Sequence, residues 1–350
     1  VSTLRYNPAL DGLRAIAVLA VIEYHASWHV LSLRGYLGVD VFFVLSGFLI
    51  TSILLRETSA GGIKLGAFYM RRARRLFPAL ITLVATMLAL GWVTWRSAAN
   101  ALLYLDDYIG PAGILVHTWS LAVEEHYYLL WPLLLPLVAR MKRRNATALL
   151  LAVYVVATAW CWWGLFDWRA PFRFDTRMSG LVFGSLLAFL PIRSMLPIAV
   201  VGVGMLLVAL GFPADRMFAE GATGALILLS YQTSIPFLAR QPFVYIGRVS
   251  YGIYLYHWPI IWFVSHDAHL VGAPALLLTM ATSTALAALS FHTIEACFRK
   301  QRAAVVELRP YQRIFEELLA HKPHGIKIRT CAGTGKCATA SRGLATSRGD

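Results

Sequence analysis

Several residues that can do chemistry sit inside otherwise apolar stretches of this chain. The stretch 12–31 contains Arg14, Glu23 and His25. A charge at the centre of a membrane helix costs at least roughly 2.5–3.5 kcal/mol on insertion scales, so such a residue is a functional candidate by default. Arg14 and His25 are 11 residues apart. At 3.6 residues per turn they return to within about 20° of one helix face, with a rise difference of roughly 16 Å. That face offers a guanidinium near one membrane surface and an imidazole deep in the span. A guanidinium suits a phosphate. An imidazole suits taking a proton from a hydroxyl. The competing reading has Arg14 snorkelling to headgroups and His25 bonding a neighbouring helix; this span alone does not choose between them.

Other candidates follow. The stretch 119–139 is preceded by His117 and Thr118, opens on Trp119 and Ser120, and carries Glu124, Glu125 and His126. Neighbouring carboxylates on a helix diverge by about 100°, so at most one of the pair faces a given cavity. Glu124 suits orienting or charge-balancing an imidazole from another span; the alternative is a pair of acids at headgroup level. In the run Arg71–Arg75, Arg72 and Arg75 fall on adjacent helical turns and suit a fork onto phosphate oxygens. A basic run is also a topology signal. Farther on come Tyr254, Tyr256, His257 and Pro259. Pro259 lacks an N–H and is expected to kink its helix and free a carbonyl beside a cavity. The four cysteines have no zinc-like spacing and form no disulfide framework.

The elements that must position these residues are membrane helices. The chain has 350 residues, 58% apolar and 14% charged, against about 25% charged in a soluble domain. Apolar stretches of about 20 residues recur, each long enough to cross roughly 30 Å of hydrocarbon. Ten spans are expected, at 12–31, 37–55, 76–95, 119–139, 146–164, 178–191, 195–212, 221–238, 248–264 and 272–296. The stretch 100–116 is expected to be half-buried or re-entrant. Lys and Arg number 13 in the loops of one side and six on the other. The richer side is expected to be cytoplasmic, with both termini there. The first nine residues are too polar for a secretory signal, so the first span is expected to direct insertion. The net charge of +14 points at first to nucleic acid, but half of it lies in 299–350 and most of the rest in two short loops. That distribution argues against a nucleic-acid partner, and none is expected; a nucleic-acid-dependent ATPase rests on the tail alone.

The motifs then fall into an order. Tyr6-Asn7-Pro8-Ala9-Leu10-Asp11-Gly12-Leu13-Arg14 leads to His25. Gly38-Val39-Asp40-Val41-Phe42-Phe43-Val44-Leu45-Ser46-Gly47 and Phe68-Tyr69-Met70-Arg71-Arg72-Ala73-Arg74-Arg75-Leu76-Phe77-Pro78 follow. His117-Thr118-Trp119-Ser120-Leu121-Ala122-Val123-Glu124-Glu125, Asp175-Thr176-Arg177 and Ser250-Tyr251-Gly252-Ile253-Tyr254-Leu255-Tyr256-His257-Trp258-Pro259 complete the series. Over roughly residues 5–299 the chain closely resembles the bacterial membrane acyltransferase-3 family. The resemblance implies an all-α integral membrane fold, about ten transmembrane helices around a central cavity, in the plasma (inner) membrane. It implies an acyl-CoA donor on the cytoplasmic side, and transfer, usually of acetyl, to a hydroxyl of a saccharide, lipid-linked saccharide or other secreted molecule. No metal is implied. The family's arginine–histidine motif maps onto Arg14 and His25, and its paired arginines onto Arg72 and Arg75.

On that basis Arg14, Arg72 and Arg75 are expected to hold the phosphates of acyl-CoA, with the pantetheine arm entering the cavity towards His25. His25 is the expected general base, with direct transfer or an acyl-enzyme on His25 or Ser46 both open. Glu124 or Asp40 is expected to orient it. Trp119, Asp175, Arg177 and His257 are candidates for acceptor binding. A proton-coupled secondary transporter using the same Arg, His and Glu is the rival class.

Departures from the family pattern are also visible. His126 and Tyr127 stand where Gln and Phe are usual, the segment between the third and fourth spans is short, and Glu295-Ala296-Cys297-Phe298-Arg299 lacks a proline. No esterase-like extension is expected. The expected organisation is a membrane domain at 1–299 and a basic, partly disordered cytoplasmic tail at 300–350. In the tail, Leu308-Arg309-Pro310-Tyr311-Gln312 and Ala332-Gly333-Thr334-Gly335-Lys336 resemble the opening of a DEAD/DEAH-type helicase. Cys337 replaces the usual magnesium-binding hydroxyl, so this fragment is expected to be inactive.

Overall fold

Inside hydrocarbon every backbone N–H and C=O must find a partner within the protein, and a helix does this within one segment. A computed structural model of the chain describes residues 6–27, 34–109, 113–163, 171–190, 200, 201, 204, 205, 207, 215–233 and 235–299. The helices are α1 (Pro8–Ser27), α2 (Gly38–Ser59), α3 (Leu65–Ala89), α4 (Trp95–Leu102), α5 (Asp106–Ile109), α6 (Trp119–Ala139), α7 (Arg143–Trp163), α8 (Phe174–Arg177), α9 (Ser179–Phe189), α10 (Asp215–Gln232), α11 (Gln241–His266), α12 (Ala273–His292) and α13 (Ile294–Arg299). Short 3-10 turns cover Gly35–Leu37 and Gly113–Thr118. No strand occurs among the described residues.

Among the described residues, three helical stretches are both long and apolar enough to cross a membrane: Gly35–Ser59, Arg143–Trp163 and Ala273–Phe298. Helices α1, α6 and α11 have comparable lengths of 20, 21 and 26 residues. Their content of His, Glu, Arg, Tyr and Trp sets them apart, and these are the helices that carry the candidate site. Expected and observed bounds agree closely for 119–139 and 178–191. Helix α3 begins eleven residues before the expected start at 76. Its arginine run is helical, as good intrinsic helix formers allow. The stretch 100–116 resolves into α4, α5 and the turn leading into α6. The expected span 195–212 falls largely outside the described residues.

Within the bundle, α1 packs on α11, α11 on α12, α1 on α2, α2 on α9, and α9 on α7. Helix association in lipid rests on close packing and polar bonds rather than on hydrophobic burial. Glycine supplies the close packing between α2 and α9. A Cβ on Gly47 would lie 2.0 Å from the Leu181 carbonyl oxygen, and one on Gly184 would lie 2.1 Å from that of Val44. Beside this contact runs a buried polar chain. Trp131 Nε1 donates to Thr51 Oγ1 (2.7 Å), Thr51 to Ser185 Oγ (2.7 Å), and Tyr127 OH lies 2.6 Å from the same Ser185 oxygen. This ties α6 to α2 and α9. The fully buried Phe43, Phe48, Leu45 and Leu54 fill the space around α2. The chain divides between Arg299 and Lys300 into two units, and the helicase-like motifs of the second lie outside the described residues.

Candidate active site

Three imidazoles meet where the end of α1, the start of α6 and the middle of α11 come together. His25 Nδ1 lies 3.3 Å from His257 Nε2. The His257 and His117 ring centroids are 5.6 Å apart. Their tautomers follow from their carbonyl neighbours, because only an N–H can face a carbonyl oxygen. His257 Nδ1 is bonded to the Tyr254 carbonyl, so Nδ1 carries the hydrogen and Nε2 accepts. His25 must then donate through Nδ1. Nε2 is then the ring atom of His25 that keeps the lone pair. His117 Nε2 lies 3.0 Å from the Leu255 carbonyl and donates to it. That carbonyl is the one freed by Pro259, four residues on, which has no N–H to offer.

His25 lines a cavity of about 910 Å³, within the size range of small-molecule sites. Glu23, Asp40, His117, Trp119, Arg177, Arg216, Glu220, Tyr254 and Trp258 also line it. Arg177 Nη2 lies 3.3 Å from Asp40 Oδ1, and both side chains are only 4% exposed. The same guanidinium sits 5.1 Å from the Trp119 ring and 5.6 Å from that of Phe43. Glu220 accepts from Ser179 Oγ (2.7 Å) and Tyr154 OH (2.9 Å). Several polar atoms of lining residues are buried without a partner among the described residues: the acceptors Glu23 Oε1, Asp40 Oδ2 and His117 Nδ1, and the donors Arg177 Nε and Trp258 Nε1. Buried polar groups are nearly always paired. A mixed set of unmet donors and acceptors around a cavity suits hydroxyl groups, which do both.

A second cluster lies nearer the opposite end of α1. Arg72 Nη2 donates to Glu125 Oε1 (2.8 Å) and its guanidinium carbon lies 3.3 Å from the Tyr128 ring centroid. Ser46 Oγ donates to Glu124 Oε1 (3.0 Å). Arg75 lies within Coulombic range of Arg14 and Arg72. Three clustered guanidiniums beside the carboxylates Glu124 and Glu125 still favour an anion. Arg14, Arg72 and Arg75 do not line the cavity that His25 lines. Between the two clusters stands Tyr254, whose hydroxyl lies 2.6 Å from Ser120 Oγ and donates to the His117 carbonyl (3.1 Å).

A family model described as an acyltransferase domain matches residues 7–292. The chain belongs to the acyltransferase-3 family. It is 32% identical to the O-acetyltransferase OatA of Staphylococcus aureus (strain NCTC 8325 / PS 47), over 85% of this chain and 58% of that protein. It is 31% identical to the putative O-acetyltransferase SAS0844 of Staphylococcus aureus (strain MSSA476), over 88% of this chain and 59% of that protein. The chain thus spans under two thirds of the length of these curated relatives. No solved structure matches it.

Several expected partnerships of this acyltransferase-family chain take a different form in the structure. Asp40 was expected beside His25, but its ion pair is with Arg177. Glu124 reaches Ser46, and the ring partner of His25 is the neutral imidazole of His257. His257 is fully buried and stands behind His25, so it cannot touch an acceptor as expected. Asp175 bonds Arg173 (2.7 Å) and Trp160 Nε1 (2.8 Å) and does not line the cavity, whereas Arg177 and Trp119 do. Between Arg14 and His25 on α1, Val18, Val21 and Ile22 are fully buried. Sequence reading missed Glu220, Arg216 and the site position of His117. An acid at the edge of an apolar stretch, Ala219-Glu220-Gly221, was the available signal for the first.

Proposed function

We propose that this chain is an integral membrane O-acyltransferase that moves an acyl group, acetyl by the names of its relatives, from acyl-CoA to a hydroxyl of a saccharide or other envelope or secreted acceptor. The fold is read as ten spans with both termini cytoplasmic, in the plasma (inner) membrane. Arg14 and Arg75 then meet the donor phosphates at the cytoplasmic end. Arg72, braced by Glu125 and Tyr128, completes the positive surface. The cavity opens towards the other end, where the C-terminus of α1 and the N-terminus of α2 lie, so donor and acceptor enter from opposite sides.

The observation that carries this reading is the arrangement of His25: it lines a cavity with unmet donors and acceptors, and its Nδ1–H is committed to His257. Nε2 takes the proton of the acceptor hydroxyl. The oxygen attacks the thioester carbonyl, the C–S bond breaks, and the leaving thiolate recovers the proton from the imidazolium. The products are an ester and free CoA thiol. A neutral partner for His25 adds no negative charge, so it does not favour the imidazolium before reaction, and the base keeps its lone pair.

The test is acetyl transfer from acetyl-CoA to oligosaccharides by protein reconstituted in liposomes. Positioned general bases contribute about 10²–10⁴-fold, so His25→Ala is expected to lower kcat by that order with the KM for acetyl-CoA little changed. Full activity in correctly inserted H25A protein removes His25 from the chemistry. Counterflow of solute without acetyl-CoA would instead favour the transporter class.

A further inference from the structure

We infer that His117 is the acceptor-side recognition residue of this site, taking a hydrogen bond from a hydroxyl of the acceptor other than the one that reacts; this rests on the acyltransferase reading above. The chain of cause begins with Pro259. Its ring removes the N–H that would close the helical bond to Leu255, and the freed Leu255 carbonyl is taken by His117 Nε2 at 3.0 Å. Holding a hydrogen on Nε2 fixes the neutral tautomer with a bare lone pair on Nδ1. His117 is 3% exposed and lines the cavity, and its Nδ1 has no partner among the described residues.

A pyridine-type nitrogen in this state accepts only. It can receive a hydroxyl or amide hydrogen but offers nothing to a thioester carbonyl. It therefore serves a hydroxyl-bearing unit and not the thioester carbonyl itself. His117 and His25 both flank His257, with centroid separations of 5.6 and 5.4 Å. Two imidazoles that share His257 as a neighbour thus line one cavity: His25 for the reacting hydroxyl, His117 for another on the same unit. A polyol fits this pair, and a simple alcohol fills only half of it.

Glutamine and asparagine separate the two ends of the ring, since Gln reaches to the place of Nε2 and Asn to that of Nδ1. His117→Gln keeps a donor for the Leu255 carbonyl and removes the cavity acceptor; His117→Asn keeps an acceptor near Nδ1. Acetyl transfer to maltotriose and to chitotriose from acetyl-CoA is measured in liposomes for each. One net hydrogen bond is worth up to about 1.5 kcal/mol, about tenfold in affinity. H117Q is expected to raise the acceptor KM about tenfold by that measure while the KM for acetyl-CoA stays put. H117N should recover part of the loss. Pro259→Ala restores an N–H that competes for Leu255, and is expected to raise the acceptor KM with the imidazole still present. An unchanged acceptor KM in H117Q, or parallel rises in both KM values, overturns the inference. A wild type that releases no CoA from acetyl-CoA, with or without these trisaccharides, overturns the proposed function itself.

Discussion

Replacing Arg177 with methionine removes a buried cation that two acids share. Arg177 and Asp40 are 3.3 Å apart and 4% exposed, and Glu220 is in Coulombic range of both. At an effective dielectric of about 20, charges at this separation attract by about 5 kcal/mol. Breaking a buried pair by removing one partner typically costs about 3–5 kcal/mol, because the other charge is left uncompensated. The two halves of the pair are not equivalent here. Asp40→Asn leaves Arg177 near Glu220, so the cost falls towards about 3 kcal/mol. Arg177→Met leaves Asp40 and Glu220 repelling each other. It also loses the contacts with Trp119 and Phe43, each worth at least about 0.5–1 kcal/mol. Its cost is therefore expected at about 5 kcal/mol or above. In the double variant D40N/R177M the repulsion is gone, so it should be more stable than R177M alone. The assay is thermal unfolding in detergent micelles, followed by tryptophan fluorescence. Chains of 150–250 residues shift by about 2–4 °C per 1 kcal/mol and longer chains by less, so R177M should melt about 5–10 °C low, with D40N clearly higher. Equal single losses that simply add in the double variant would refute the shared-cation account.

Other expectations concern donor binding and packing. Arg14→Gln with Arg75→Gln is expected to raise the KM for acetyl-CoA by about tenfold or more, since charge-assisted bonds are worth about 1.5–3 kcal/mol each; an unchanged KM excludes them from donor binding. Arg72→Gln should lower the melting temperature as well, because it strands Glu125 and uncovers Tyr128; KM and melting measured on one preparation separate these effects. Gly47→Ala forces a methyl to 2.0 Å from a backbone carbonyl, and overpacking of this kind typically costs about 1–3 kcal/mol or more. A wild-type melting temperature for G47A would show that α2 and α9 have room to separate.

Residues that share one helix were legible in the sequence; residues that meet across helices were not. Arg14 and His25 lie on one helix, and their common face and rise follow from helical geometry alone. The bond freed by Pro259 was equally local, and His117 is found on it. By contrast, the choice of His257 as the partner of His25 depends on α1 packing against α11, which no spacing encodes. Arg72 was read as a phosphate ligand from its run of cations, but Glu125 and Tyr128 arrive from α6 to hold it. Asp40 went to Arg177 for a similar reason: a buried guanidinium needs a carboxylate more than a neutral imidazole does. Where a charge is buried, the partner is decided by helix packing, and a single sequence gives only the candidates.

The separation of the two clusters has a consequence for the chemistry. Acyl-CoA near His25 would be hydrolysed by any water the cavity holds. Along α1 the fully buried Val18, Val21 and Ile22 lie between the arginine end and His25. Beside them Tyr254 is 7% exposed and held by Ser120 and the His117 carbonyl. On the proposed reading this wall keeps water from the thioester until an acceptor is bound. Tyr254 is the element best placed to move, because its hydroxyl anchors to the backbone of the residue that meets the acceptor. Filling the His117 side of the cavity would then loosen the Tyr254 anchor and open the donor path, so that acceptor binding precedes acyl delivery. Tyr254→Phe removes the anchor and leaves the ring. It is expected to raise acetyl-CoA hydrolysis in the absence of acceptor relative to transfer in its presence. A hydrolysis-to-transfer ratio equal to that of the wild type would show that the wall is not held by this hydroxyl.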